Sequence, residues 1–156
     1  MPENAGTNFL TFELSESRAR EYDISRKKVE ESIRELDKLN ERSVRLDPST
    51  VDEIVRRIRP HAEAIVQAYP QAEYYLNQLG YDLLGDKRTA EAIAVLTVNT
   101  KLFPDSSNVY DSLGEAYMSE GNFLLSLNNY KQAILLDPNN ANAKKKVAEL
   151  EQKLSE

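Results

Sequence analysis

Apolar residues recur at steps of three and four along most of this chain. The clearest run is Val51, Ile54, Val55, Ile58, Ala62, Ile65, Val66 and Tyr69, which lines one face of a helix. Pro60 lies inside that run. Proline lacks a backbone donor and clashes with the preceding turn, so a kink or short break is expected over 56–60. Asp47-Pro48-Ser49 opens the element with an acidic cap and proline at the first helical position, and Pro70 closes it. Upstream, residues 16–45 are highly charged and carry a thin stripe of Tyr22, Val29, Ile33, Leu36 and Leu39. The stripe predicts a long helical arm, packed as a hairpin rather than a sustained coiled coil. Ser15 is its expected N-cap. Phe9–Leu14 is a short aromatic-rich run that suits a strand or an extended arm equally, and residues 1–8 are polar.

From residue 73 the pattern becomes helix, turn, helix, and does so twice. Leu76, Leu79 and Leu83 mark one helix and Ala92, Ile93 and Leu96 the next; Tyr110, Leu113, Gly114 and Tyr117 mark a third, and Leu127, Tyr130, Ala133 and Ile134 a fourth. Pro70, Pro104 and Pro138 stand 34 residues apart, and Leu79-Gly80 returns as Leu113-Gly114 at the same interval. A fixed period of this size marks a stack of helix pairs, each packing on its neighbours. The spacing divides the chain into an extended segment 1–14, a helical arm 15–72, repeat units 73–106 and 107–140, and a cap 141–156. Gly85-Asp86 and Gly121-Asn122 are the expected turns within the units. Ser107 and Asn140 are the expected N-caps of the helices that follow them. Gly80 and Gly114 let two helices approach where a side chain would obstruct. Ala92, Ser126 and Ala133 keep the facing helix thin. The final stretch is amphipathic through Ala143, Val147, Leu150 and Leu154, with a lysine-rich outer face suited to a solvated end.

This signature resembles the tetratricopeptide repeat. Tyr110, Leu113, Gly114, Tyr117, Ser126, Tyr130, Ala133 and Pro138 fit its pattern in the second unit. In the first, Leu79, Gly80, Ala92 and Pro104 match, Leu76, Leu83 and Leu96 replace aromatics, and Asn99 stands where a small residue is usual. Residues 54–70 look like a degenerate second helix of a preceding unit. The resemblance implies an all-α, right-handed stack of antiparallel helix pairs that binds a protein or peptide segment without catalysis. The family's groove positions fall on Tyr74, Asn77, Tyr81 and Leu84, then on Asn108, Asp111, Glu115 and Met118, and in the cap on Asn142 and Lys145. Family members that clamp a chaperone's C-terminal carboxylate use Lys and Asn at the positions of Asn77 and Tyr81, with Lys and Arg further on; here Asn77, Tyr81, Asp111 and Glu115 offer no cation, and only Lys145 and Lys146 of the cap could bind an anion. An acidic row of this kind suits a basic or amide-rich segment instead. A narrower resemblance joins 108–117 to repeat tails of bacterial esterases and beta-lactamase-like serine hydrolases, which implies an accessory or dimerisation domain as the alternative.

Composition narrows the chemistry. The 156 residues carry a net charge of −6 and no cysteine. That disfavours general nucleic-acid binding and removes disulfides and thiolate chemistry. No phosphate-cradling loop, nucleophile elbow or His-Glu-x-x-His motif occurs, so neither catalysis nor a cofactor or metal is implied. The one histidine, His61, and the carboxylate pairs Glu30/Glu31, Asp52/Glu53 and Glu149/Glu151 fit solvated helix faces. No apolar run has membrane-spanning length, and no signal peptide is visible, so a cytoplasmic setting without membrane contact is expected. Two further options attach to residues 16–45: self-association as a homodimer, or folding back to fill the groove.

Overall fold

The computed structural model describes residues 31, 34, 35, 38–40 and 48–156, and among these every regular element is helical. Phe9–Leu14, Ser15 and most of the 16–45 stripe lie outside the described residues. Two compact units divide between Tyr75 and Leu76.

In the first unit, Lys38–Asn40 forms a 3-10 turn rather than α-helix, so the arm expected over 16–45 is not one uninterrupted α-helix. Leu39 of that turn is buried, and Lys38 pairs with Glu35 at 2.8 Å. Helix α1 spans Pro48–Ile58 and begins at the proline, as the fixed φ of that residue favours. Arg59–His61 is a 3-10 turn, and helix α2 follows over Ala62–Ala68. The break expected at Pro60 is therefore present, and it is confined to one turn. The apolar register survives it: Val51, Ile54, Ile58, Ala64, Ile65 and Tyr69 are all buried. Arg57 reaches Glu35 at 3.1 Å and Glu53 at 2.7 Å, tying α1 to the upstream segment. Helix α3, Ala72–Gly85, starts in this unit and continues into the second.

The second unit continues with α4 (Thr89–Leu102), α5 (Ser107–Glu120), α6 (Phe123–Leu136) and α7 (Ala141–Ser155). Helices α4 and α6 repeat at 34 residues, end for end. So do the turns after α2, α4 and α6. Tyr69, Phe103 and Asp137 each close a helix by donating to the carbonyl four residues back, at 2.8, 2.9 and 2.8 Å. Each then accepts from the amide three residues ahead, that of Ala72, Ser106 or Asn140, at 2.9, 3.1 and 3.0 Å. The next residue is a proline in all three cases, and proline forces its predecessor out of the helical region.

The turns inside the helix pairs also repeat, though not where the glycines suggest. Asn122 N–H donates to Tyr117 O and Gly121 N–H to Met118 O, the two bonds of a Schellman cap. Its left-handed residue is Gly121, at φ 85°. The same pair of bonds joins Arg88 to Leu83 and Lys87 to Leu84. The left-handed residue there is Lys87, at φ 61°, while Gly85 lies inside α3. The Gly85-Asp86 turn expected from sequence thus falls two residues later, at the position 34 before Gly121. A β-carbon in that region costs about 1–2 kcal/mol, partly offset by the greater unfolded entropy of glycine. Lys87→Gly is expected to stabilise the protein by about 0.5–1 kcal/mol, read as a rise in urea midpoint; Gly121→Ala is expected to lower it by a similar amount.

Capping shows one more difference. Asn140 caps α7 as expected, accepting from Ala143 N–H at 2.9 Å, and Asn122 caps α6 through Leu125 N–H. Ser107 is not a cap. It is the first residue of α5, and its hydroxyl donates across to the Ala133 carbonyl at 2.9 Å.

The core sits where the repeated glycines bring helices together. A β-carbon at Gly80 would lie 2.6 Å from Leu96 Cγ and Cδ2, and one at Gly114 would lie 3.1 Å from the Tyr130 ring. Ser126 Oγ donates to the Gly114 carbonyl at 2.7 Å, at the same close approach. Leu96, Leu113 and Ala116 form one buried cluster; Tyr130, Ala133, Ala143 and Leu150 form another. Asn99, at a position usually small, is fully buried.

Candidate functional site

Side-chain contacts line up α3, α5 and α7, the first helix of each pair and the cap. The Tyr81 hydroxyl on α3 donates to Glu115 Oε2 on α5 at 2.9 Å, with Ser112 Oγ at 3.4 Å. Asn142 on α7 donates through Nδ2 to both carboxylate oxygens of Asp111, at 2.9 and 3.2 Å. The Asn140 amide reaches Asp111 Oδ1 at 3.4 Å and Ser107 Oγ at 3.1 Å. Four of the groove residues expected from sequence are therefore bonded across helices in two sets, Tyr81 with Glu115 and Asp111 with Asn142, and Asp111 and Glu115 stand one turn apart on α5.

The others take different places. Asn77 lies one turn before Tyr81 on α3, and its Oδ1 is buried with no hydrogen-bond partner. Leu84 packs on the Leu96, Leu113 and Ala116 cluster, and Met118 packs on the Tyr130 cluster, so both serve the interior. Asn108 is exposed. Lys145 is three-quarters exposed, with Glu149 at 4.0 Å. Tyr74 belongs to the first unit, is 65% exposed, and meets Tyr75 edge to face at 5.7 Å between ring centres.

Two contributors escaped the sequence reading in part, and a third, Lys146, was expected only as a candidate anion site. Asn140 was marked only as a cap, yet its amide group also serves Asp111. Lys146 pairs with Glu149 at 3.3 Å, and its charge favours the ionised form of Asp111. Tyr130 was legible as core, and its ring is fully buried. Its hydroxyl, however, has no partner, and burial first, then Glu115, Asp111 and the Tyr81 hydroxyl, oppose its ionisation.

Electrostatics here follow burial. Desolvation, helped by Glu115 and Asp111, pushes the Tyr81 phenol up to about 12. Desolvation also raises the Asp111 carboxyl, outweighing the Asn142 and Asn140 amides and the Lys146 charge that favour ionisation. A carboxyl raised in the fold is favoured when protonated, and that contribution is lost as pH rises through the folded value. Asp111 therefore opposes folding at neutral pH. Asp111→Asn is expected to leave the melting temperature at pH 7 unchanged or higher, with any gain shrinking toward pH 3. A large loss at pH 7 would show that the carboxylate is structural.

Among the described residues no three His, Asp or Glu side chains gather to hold a metal ion, and no helix is long and apolar enough to cross a membrane.

The stacked helix pairs define a helical-repeat fold, in which neighbouring units create one shared surface. Comparison with known proteins gives the kind of repeat. The chain is 28% identical over 130 residues to the tetratricopeptide repeat domain-containing protein PYG7, chloroplastic, of Arabidopsis thaliana, a match covering 78% of this chain and 42% of that protein. It is 27% identical over 106 residues to Superkiller protein 3 of Schizosaccharomyces pombe, covering 68% of this chain and 8% of that one. The chain thus spans less than half the length of either relative. The solved structure of the first TPR domain of human RPAP3 matches with a TM-score of 0.52 at 16% identity, covering 82% of this chain and 90% of that one. No protein-family model matches. Fold, period and relatives agree: the chain has the tetratricopeptide-repeat fold and is similar to proteins that carry it. Neither relative is named as a hydrolase.

Proposed function

We propose that the chain is a non-catalytic adaptor that binds a segment of another protein along the face of α3, α5 and α7. On this reading 73–106 and 107–140 are the repeats, 141–156 is their cap, and 15–72 is a helical arm carrying a half-repeat behind an extended 1–14. The observation that carries it is the Asp111 carboxylate. Desolvation raises its carboxyl even though two asparagine amides, of Asn142 on α7 and of the Asn140 cap, hold it in place. Groups that oppose stability while well positioned mark functional surfaces. Tyr81 supplies rigid contact area with a polar tip, the residue type that dominates binding hot spots. The preferred partner segment is basic or amide-rich, because Asp111 and Glu115 make the row acidic and the nearby cations, Lys145 and Lys146, both lie beside Glu149.

The test is a partner-capture comparison with the full chain. Proteins retained by the wild type should be lost by Tyr81→Ala combined with Asp111→Ala, while circular dichroism shows the helices intact. Undiminished retention of every partner by the double variant would remove the groove from consideration.

A further inference from the structure

Two buried polar atoms, Asn77 Oδ1 and the Tyr130 hydroxyl, have no partner, and each can accept a hydrogen bond. Asn77 Oδ1 is an acceptor only. The Tyr130 hydroxyl lies on a side chain with no exposed surface. Buried polar groups are almost always paired, so two unpaired ones call for an explanation. Asn77 stands one helical turn before Tyr81, within side-chain reach of it. The Tyr130 ring packs on Gly114, the residue before Glu115, 3.1 Å from where a β-carbon there would lie, and Glu115 and Asp111 act on its hydroxyl. Asn77 thus shares the helix face of Tyr81, and Tyr130 lies beneath the Glu115 end of the row.

Resting on the groove reading above, we infer that this spot receives an arginine side chain of the partner segment, its guanidinium donating to Asn77 Oδ1 and to the Asp111 and Glu115 carboxylates, with the Tyr130 hydroxyl at its floor. The charged groups around the spot are the carboxylates of Asp111 and Glu115 on α5 and of Glu149 on α7, against the Lys146 ammonium, which Glu149 already engages. The acceptors lie on separate helices. A planar fork of five donors can reach several of them at once, whereas an ammonium acts as one point charge. A carboxylate or phosphate would meet like charge here. An amide carries one short donor group and cannot neutralise the row.

The probes are four synthetic peptides with one serine-glycine background and a central arginine, citrulline, lysine or glutamate, titrated into the full isotope-labelled chain by NMR. The arginine peptide is expected to shift the backbone amides of Asn77, Tyr81 and Glu115, to bind less tightly as salt rises, and to bind about tenfold or more tightly than the citrulline peptide. Glu115→Gln should weaken it by about the same factor. Tyr130→Phe is the control against simple unfolding: it should keep or raise the melting temperature, since it removes an unpaired buried hydroxyl, while weakening arginine binding several-fold. Equal binding of the citrulline and arginine peptides at these amides would overturn the arginine site and leave the groove standing. So would preference for the glutamate peptide. If no peptide moves these amides, the arginine site is wrong, and partner capture by the Tyr81/Asp111 double variant decides the groove separately.

Discussion

Tyr130→Ala is expected to destabilise the protein by about 3–5 kcal/mol, the usual cost of removing a buried aromatic ring. Tyr130 has no exposed surface, stacks over the Gly114 backbone, and anchors a cluster with Ala133, Ala143 and Leu150. Larger side chains, among them Met118, Leu127 and Val147, also pack on the cluster, and the size of the loss measures how far they move into the void. Part of the loss should appear as fraying of α7, whose Ala143 and Leu150 bury themselves against this ring. In a stacked repeat the terminal element depends on a single neighbouring interface. Urea unfolding of the full chain, followed by amide hydrogen exchange in α7, measures both. Tyr130→Phe keeps the ring and should cost nothing. A loss below about 1 kcal/mol for the alanine variant would mean that the cluster repacks freely, contrary to the close fit of interior side chains.

The second large effect is expected at Gly80. An alanine there places its β-carbon 2.6 Å from Leu96 Cγ, nearer than any real contact, and Leu96 is itself fully buried. Either the α3–α4 spacing widens or Leu96 leaves its rotamer. Overpacking of this kind costs about 1–3 kcal/mol. Gly114→Ala should cost less, because its contacts with the Tyr130 ring begin at 3.1 Å. The decisive comparison is a double-mutant cycle. Leu96→Ala should relieve Gly80→Ala, so the pair costs less than the sum by about 1 kcal/mol or more. Strict additivity would mean that the two residues do not compete for space.

Much of this was legible in the chain because it depends on local rules. The proline period located the ends of α2, α4 and α6, since proline constrains its own φ and the residue before it wherever it stands. Pro60 gave the break between α1 and α2 for the same reason. The Leu-Gly pairs marked helix contacts, because only a missing side chain permits such an approach. Turn assignment succeeded at Gly121 and failed at Gly85. Glycine permits the left-handed conformation but does not compel it, and the hydrogen-bond pattern that closes α3 selects Lys87. Ser107 failed as a cap in a similar way. A hydroxyl near a helix start can bond locally, but this one found the Ala133 carbonyl on another helix.

The groove row shows the same division. Repeat position alone marked Tyr81, Asp111, Glu115 and Asn142, and these bond across helices in two sets. It also marked Leu84 and Met118, whose side chains turn into the core clusters, because a helix position fixes a direction only to within the width of a face. By itself the sequence determined the class of fold, the period, the helix ends and the acidic character of one face, all consequences of backbone constraint and side-chain pattern along the chain. Only the tertiary structure decided which polar atoms on that face are paired. It left Asn77 Oδ1 and the Tyr130 hydroxyl buried without partners. Pairing depends on what neighbouring helices bring within hydrogen-bond reach, about 3 Å, and no spacing within one helix encodes that.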